Sequence, residues 1–207
     1  FRPMEHGADI VINSITKFLA GHSDVTLGYV AARDPGLRTA IYDAAVTWGT
    51  TPSPFDCWLA ERGLHTFDLR FEKAQATAAA LADALAGRDG IRQVIYPGRA
   101  DHPHHNRAGT LFGGQFGNML SFEIEGGRDE VNSFVMNAGG IPFAPTLGDV
   151  GCTLSHPASS SHRALTTEGR AALGISEGYF RLSVGIEPPE LVLAELDAAL
   201  AAVRGES

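Results

Sequence analysis

A chain of 207 residues that is 44% hydrophobic and 19% charged carries enough apolar material for a packed core in one or two domains. Its formal net charge of -8 opposes nucleic-acid phosphate and anionic membrane surfaces as partners and favours small neutral or zwitterionic ones. Cys57 and Cys152 match neither a disulfide framework nor a CxxC metal knuckle and read as buried or half-buried thiols of a reducing cytoplasm, and no run reaches the ~18 apolar residues of a membrane span.

The opening "FRPMEHGADIVI" lacks an initiator Met and enters a strand almost at once, which reads as a chain joined partway through. Ile10, Val11 and Ile12 form a short β-branched run between Asp9 and Asn13, expected to be a buried strand of a sheet covered on both faces. "DVTLGYVAA" from Asp24 is a second strand, and Lys17 lies on the connection between the two, where loops carry chemistry. Asp34 followed by Pro35 opens a helix through "DPGLRTAIYDAAV". A second helix runs from Ser53 to near Gly63, and a long Ala-rich one from about Thr66 to Leu85, closed by Gly87.

After Gly90 the order changes. "IRQVIYPG" and "NMLSFEIEG" read as strands and "RDEVNSFVMNAG" as a helix; "IPFAPTLG" reads as a strand leading into a loop, "YFRLSVGIE" as another strand and "PELVLAELDAALAAV" as a closing amphipathic helix. This α+β order places a domain boundary near residue 70: residues 1–70 belong to an α/β, mainly parallel-sheet domain and residues 71–207 form a smaller α+β domain.

A lysine amine is normally protonated and a poor nucleophile, and desolvation or a cationic neighbour frees it for Schiff-base chemistry with a carbonyl. Ser14 and Thr16 flank Lys17 with hydroxyls that suit a phosphate, and Gly21 and Ser23 keep the following turn small. No GxxxxGK[ST] pattern is present, so the residues alone leave open a plain surface lysine after a Ser/Thr turn.

"ADIVINSITKFLAGHSDVTLGYV" resembles the lysine segment of the Cys/Met metabolism family of pyridoxal-phosphate enzymes, which includes cystathionine γ-synthase, cystathionine β- and γ-lyases, methionine γ-lyase and the O-acylhomoserine sulfhydrylases. "SPFDCWLAERGLHTFDLR", "VIYPG", "GNMLSFEIEGG", "TLGDVGCTLSHPASSSH", "LGISEG" and "RLSVGIE" resemble family landmarks in the same order, so the likeness covers essentially the whole chain. The resemblance implies the end of a fold-type I transferase large domain, followed by a small C-terminal domain. It implies that Lys17 forms the Schiff base with pyridoxal 5'-phosphate and then shuttles protons, and that Ser14 and Thr16 contact the cofactor phosphate. Arg181 matches the arginine that clamps the substrate α-carboxylate, a task suited to its planar fork. Thr146 stands where the family usually has Ser in "SLG", a second contact near that carboxylate, with Pro145 and Leu147 lining the same pocket.

The family's ring-pairing aspartate, ring-stacking aromatic, glycine-rich phosphate loop and the Tyr/Arg pair donated by a neighbouring subunit precede the lysine segment and are not found here, so the 207 residues alone are expected to be inactive. The resemblance further implies a cytoplasmic homotetramer, a dimer of dimers with shared active sites, acting on an amino acid. In the family the residue before "SLG" partly sets substrate preference, and the matching position here is Pro145. "LGDVGCTLSHPASSSH" and "LGISEGYFRLSVGIE" look closest to γ-lyases and sulfhydrylases. The expectation is therefore a carbon-sulfur lyase or γ-replacement enzyme acting on cystathionine, methionine or an O-acylhomoserine, with a cystathionine β-lyase open. The alternative from another class is a non-catalytic assembly module or degenerate paralogue of the same fold, against which Lys17 and Arg181 both speak.

Other candidates read more plainly. His102, His104 and His105 are clustered, but adjacent histidines diverge and a Zn site needs converging ligands, which speaks against a metal, and the resemblance implies a surface connection at this "HP". His156 and His162 stand between structural hydrogen bonding and pocket lining, and His22 reads as a turn residue. Trp48, Phe55 and Trp58 read as core or subunit-interface aromatics, Asp56 as a cap or a backbone hydrogen-bonding residue, and Glu123, Glu125, Asp129 and Glu130 as solvated faces.

Overall fold

The computed structural model describes residues 1–206, and the chain divides into two units, Phe1–Asp68 and the remainder from Leu69. In the first unit a single 3-10 turn, Pro3–His6, precedes strands β1 (Ile10–Ser14) and β2 (Gly28–Ala32). They pair with Ile10 opposite Ala32 and Ser14 opposite Gly28. Helix α1 (Pro35–Thr47) starts where the Asp34 carboxylate accepts the Leu37 amide at 2.8 Å, with Pro35 pre-set in the first turn. Helix α2 (Pro54–Leu64) starts the same way: the Ser53 hydroxyl accepts the Asp56 amide at 3.1 Å and donates to the Asp56 carboxylate at 2.8 Å.

Four expectations for this unit are corrected. The strand pair is antiparallel, because residues 15–27 fold back as turns rather than as a crossover helix. The strand is not buried on both faces: Ile12 is 75% exposed, since apolar β-branched content reports what a strand could bury and not what covers it. Trp48, Phe55 and Trp58 are exposed, which removes the core reading for them; Phe55 and Trp58 stack on each other at 5.9 Å between ring centres. Cys57 is exposed as well, while Cys152 is buried.

Helix α3 (Phe67–Leu85) begins in the first unit and continues into the second. There β3 (Ile91–Ile95), β4 (Met119–Ile124), β5 (Thr153–Ser155) and β6 (Tyr179–Ser183) form an antiparallel sheet in the order β3-β4-β6-β5. Helices α4 (His105–Phe112), α5 (Arg128–Asn137), α6 (Thr167–Ala172) and α7 (Pro189–Arg204) complete the unit. Alternation along β4 and β6 sends Phe122, Phe180 and Leu182 into the core, where Phe134 of α5 lies 4.9 Å from Phe180 and 5.8 Å from Phe122 between ring centres. Leu81 and Leu85 of α3 and Leu196 and Leu200 of α7 complete this core.

In "IPFAPTLG" the expected strand is reduced to one parallel bridge from Phe143 to Leu154, since Pro142 and Pro145 deprive the ladder of amide donors. Glu123 is not solvated: it is buried, and its carboxylate meets Arg92 at 2.7 Å. Glu130 folds back to accept the Gly127 amide at 2.7 Å at the start of α5. Among the described residues no helix is long and apolar enough to cross a membrane, and no group of three or more His, Cys, Asp or Glu side chains converges on a metal position.

Candidate active site

The lysine segment is a closed turn hung between two strands. Thr16 latches its mouth: its amide donates to the Leu27 carbonyl at 3.0 Å, and its hydroxyl donates to that carbonyl at 3.1 Å and accepts the Leu27 amide at 2.9 Å. Inside the latch the Ala20 amide donates to Ile15 and the Gly21 amide to Lys17, at 2.9 and 2.8 Å, winding the backbone tightly around the lysine. Gly21 and Ser23 take left-handed conformations, with φ of 76° and 53°, so the chain can turn back toward β2. The His22 ring donates through Nδ1 to the Ala20 carbonyl at 2.6 Å, which makes it a turn residue. Phe18 is buried, with its ring edge-on to Phe67 at 6.4 Å between centres. Gly63 of α2 backs the turn: a Cβ there would lie 2.4 Å from the Ala20 oxygen.

Lys17 is half-buried in this frame, and among the described residues its ammonium makes no hydrogen bond or ion pair. Ser14, at the end of β1, is exposed with its hydroxyl uncommitted among the described residues, whereas the single proton of the Thr16 hydroxyl goes to Leu27. The amine and one hydroxyl are therefore available on a rigid turn, and the second hydroxyl holds the turn shut.

The second candidate cluster lies in the second unit. On β6, opposite the core-facing Phe180 and Leu182, Arg181 donates through Nη2 to the Thr146 carbonyl at 3.1 Å, and the Thr153 hydroxyl donates to the same oxygen at 3.3 Å. Arg181 Nε is buried without a hydrogen-bond partner among the described residues. Thr146 thus meets the arginine through its backbone rather than its hydroxyl; Leu147 is half-buried and Pro145 exposed. Ser14, Thr16 and Lys17 are brought together in one unit, and Thr146, Leu147 and Arg181 in the other.

Neighbouring polar groups are structural. His156 is almost fully buried; its Nε2–H donates to the Glu177 carbonyl at 2.7 Å, so Nδ1 accepts from the Ser159 hydroxyl at 2.7 Å. Burial is the main cause that holds its pKa below the ordinary imidazole value. Among the described residues the His162 ring bonds its neighbour Ser161 at 2.9 Å, while its amide donates to the Pro157 carbonyl at 2.9 Å. His105 begins α4, donates to the Pro97 carbonyl at 2.9 Å and stacks on Phe116, so its ring is spent on packing. Arg70 is buried at the start of the second unit, where desolvation lowers its pKa and the charge of Asp149 opposes that shift.

Sequence reasoning passed over Gly63, Ser183 and Glu187, which shape the two clusters. The spacing "GLH" after "CWLAER" carries no signal that Gly63 must admit a carbonyl, and Ser183 and Glu187 act on a segment more than thirty residues away.

The family model of Cys/Met metabolism PLP-dependent enzymes matches residues 1–201, spanning both clusters. The chain belongs to that family. It is 41% identical over 96% of its length to cystathionine beta-lyase of Bacillus subtilis and 38% identical over 96% to cystathionine gamma-lyase of Dictyostelium discoideum. Among solved structures, cystathionine gamma synthase from Xanthomonas oryzae pv. oryzae matches with a TM-score of 0.88 at 44% identity, covering 99% of this chain and 53% of that one. Cystathionine gamma-lyase from yeast matches with a TM-score of 0.90 at 35% identity. The chain spans about half the length of the curated relatives it matches, 50% and 51% for the two named. These family members establish the α/β fold and pyridoxal phosphate as the family's cofactor.

Proposed function

We propose that the full-length polypeptide carrying this chain is a pyridoxal-phosphate enzyme of sulfur amino acid metabolism, a carbon-sulfur lyase or γ-replacement enzyme acting on a homoserine- or homocysteine-derived amino acid. The observation that carries the reading is an uncommitted, half-buried amine, Lys17, on a turn latched at Thr16 and backed by Gly63, in a chain matched by the family across both clusters. The donor set fits the cofactor: a primary amine suits its aldehyde and the Ser14 hydroxyl suits its phosphate, with Thr16 fixing both on the turn. The stranded Nε–H of Arg181 fits an incoming carboxylate, because a buried donor without an acceptor costs free energy that an anion relieves.

When bound, the cofactor supplies an electron sink for the pair left at Cα, so that a substituent on Cβ or Cγ can depart. Lys17 is the amine that would hold the cofactor through its aldehyde, and its Nζ is the group that would accept the substrate Cα proton and return protons to the substrate carbons. Arg181 grips the α-carboxylate and fixes which Cα bond is presented, with Thr146, Leu147 and Pro145 forming the wall beside it. The family resemblance supports a cytoplasmic homotetramer, a dimer of dimers, and the exposed Trp48, Phe55 and Trp58 are aromatics that a subunit interface would cover.

The test is product analysis of the purified full-length enzyme loaded with pyridoxal phosphate and offered cystathionine, methionine, or O-succinylhomoserine with sulfide. The reading expects 2-oxobutanoate from γ-cleavage, an α-keto acid with methanethiol from methionine, or homocysteine from γ-replacement. Pyruvate with homocysteine from cystathionine moves the assignment to a β-lyase, which the relative from Bacillus subtilis favours. No product from any of the three supports the non-catalytic module.

A further inference from the structure

The segment from Thr146 to Cys152, which supplies the carbonyl that orients Arg181, is pinned at alternate residues by β6 and the chain just after it. Gly148 donates its amide to the Ser183 hydroxyl at 2.9 Å; Ser183 is 1% exposed and lies two residues beyond Arg181, on the same side of the strand. Val150 accepts the Ile186 amide at 2.8 Å. At Cys152 the Glu187 carboxylate closes the clasp: Oε1 accepts the Cys152 amide at 2.5 Å and Oε2 accepts its thiol at 3.2 Å, while the sulfur accepts the Gly185 amide at 3.2 Å. Burial pushes the Cys152 thiol up to about 12, so the sulfur keeps the proton that this clasp uses. The approach is close: a Cβ on Gly185 would fall 2.2 Å from the Val150 oxygen.

We infer that Ser183 and Glu187 are positioning residues, which hold the Thr146–Cys152 segment so that its Thr146 carbonyl aims the Arg181 guanidinium at the substrate carboxylate. This rests on the reading of Arg181 given above. Among the described residues the Arg181 guanidinium has one hydrogen bond, at Thr146, so the direction of its remaining donors follows that carbonyl. Ser183 fixes the amide two residues further on and Glu187 fixes the far end of the segment. A shift of about 1 Å in the carbonyl is enough to spoil a two-donor grip on an anion.

The experiment uses the full-length enzyme loaded with pyridoxal phosphate, and reads the change of its visible band on titration with glycine, which has a carboxylate and no leaving group, and with methylamine, which has neither. Ser183→Ala is expected to weaken glycine about tenfold, the scale of one net hydrogen bond, while methylamine affinity and the band of the loaded enzyme stay as in the parent. Ser183→Thr, which keeps the hydroxyl, is expected to recover most of the glycine affinity. Glu187→Gln, which keeps one acceptor oxygen, is expected to weaken glycine several-fold with the same selectivity, and it tests the clasp should Ser183→Ala fail to fold. In turnover, both deficient variants raise KM more than they lower kcat. Glycine affinity unchanged in Ser183→Ala and Glu187→Gln, or glycine and methylamine weakened equally, overturns the inference while the proposed function stands. A parent enzyme that shows no visible band with pyridoxal phosphate overturns the proposed function, and this inference falls with it.

Discussion

The first unit buries little more than Phe18, Ala20, Val25, Ala32 and Ala60, and leaves Ile12, Trp48 and Phe55 mostly in solvent. The second buries a continuous core from Leu81 through Phe122, Phe134 and Phe180 to Leu200. Local devices hold the first unit's features: Asp34 and Ser53 cap its helices and Thr16 latches its turn. Packing holds the second, and its polar site residues sit on the back of a strand whose other face is core. The lesson is that the amine proposed for chemistry is oriented by hydrogen bonds and one close backbone approach, whereas the arginine proposed for recognition stands on a strand packed into the core, with its guanidinium aimed by the Thr146 carbonyl. Substitutions should therefore part along the same line.

The sharpest separation comes from Lys17→Ala in the full-length enzyme, which is expected to cut turnover by about a thousandfold or more while the unfolding transition of the second unit stays in place. Phe134→Ala is expected to do the reverse: it removes a ring buried among Phe122 and Phe180 and costs about 3–5 kcal/mol in denaturant unfolding. If Phe134→Ala left stability unchanged, the contrast between the units would be lost. Gly63→Ala decides whether the turn rests on its backing. Helix propensity favours alanine by up to about 1 kcal/mol, but the 2.4 Å approach to the Ala20 oxygen forces a backbone shift costing about 1–3 kcal/mol. The expected outcome is a net loss of cofactor retention, measured by absorbance after gel filtration.

The smallest effect concerns pH. His156 is buried neutral with its pKa below the ordinary value of about 6.5, so the unfolded chain takes up a proton that the folded chain refuses. Its contribution to stability is present above pH ~6.5 and declines as the pH falls toward the folded value. Thermal melts from pH 8 to 5 should show this decline, and His156→Gln should flatten it; an equal slope in both would contradict the buried neutral assignment.

Helix starts were legible in the sequence because capping is local: Asp34 with Pro35 and Ser53 with Pro54 state their function within four residues. The antiparallel pairing of β1 with β2 was not, since a β-branched run has the same composition in either direction. Strand β5 has three residues and α4 starts on "HNR" without an apolar repeat, so neither leaves a periodic trace. Lys17 stood out through its resemblance to a family segment rather than through spacing. The features that orient it and Arg181 were illegible for one physical reason: Thr16 to Leu27, Gly63 to Ala20, Ser183 to Gly148 and Glu187 to Cys152 are contacts across sequence distance.

Borohydride reduction of the full-length protein loaded with pyridoxal phosphate, followed by peptide mass mapping, tests the central claim most directly, because reduction fixes the cofactor to whichever amine holds it; these 207 residues contribute Lys17 and the exposed Lys73 of α3. The account expects the pyridoxyl group on the peptide containing Lys17, lost in Lys17→Ala and unaffected by Lys73→Ala. A pyridoxyl group on Lys73, or on neither lysine, would contradict it.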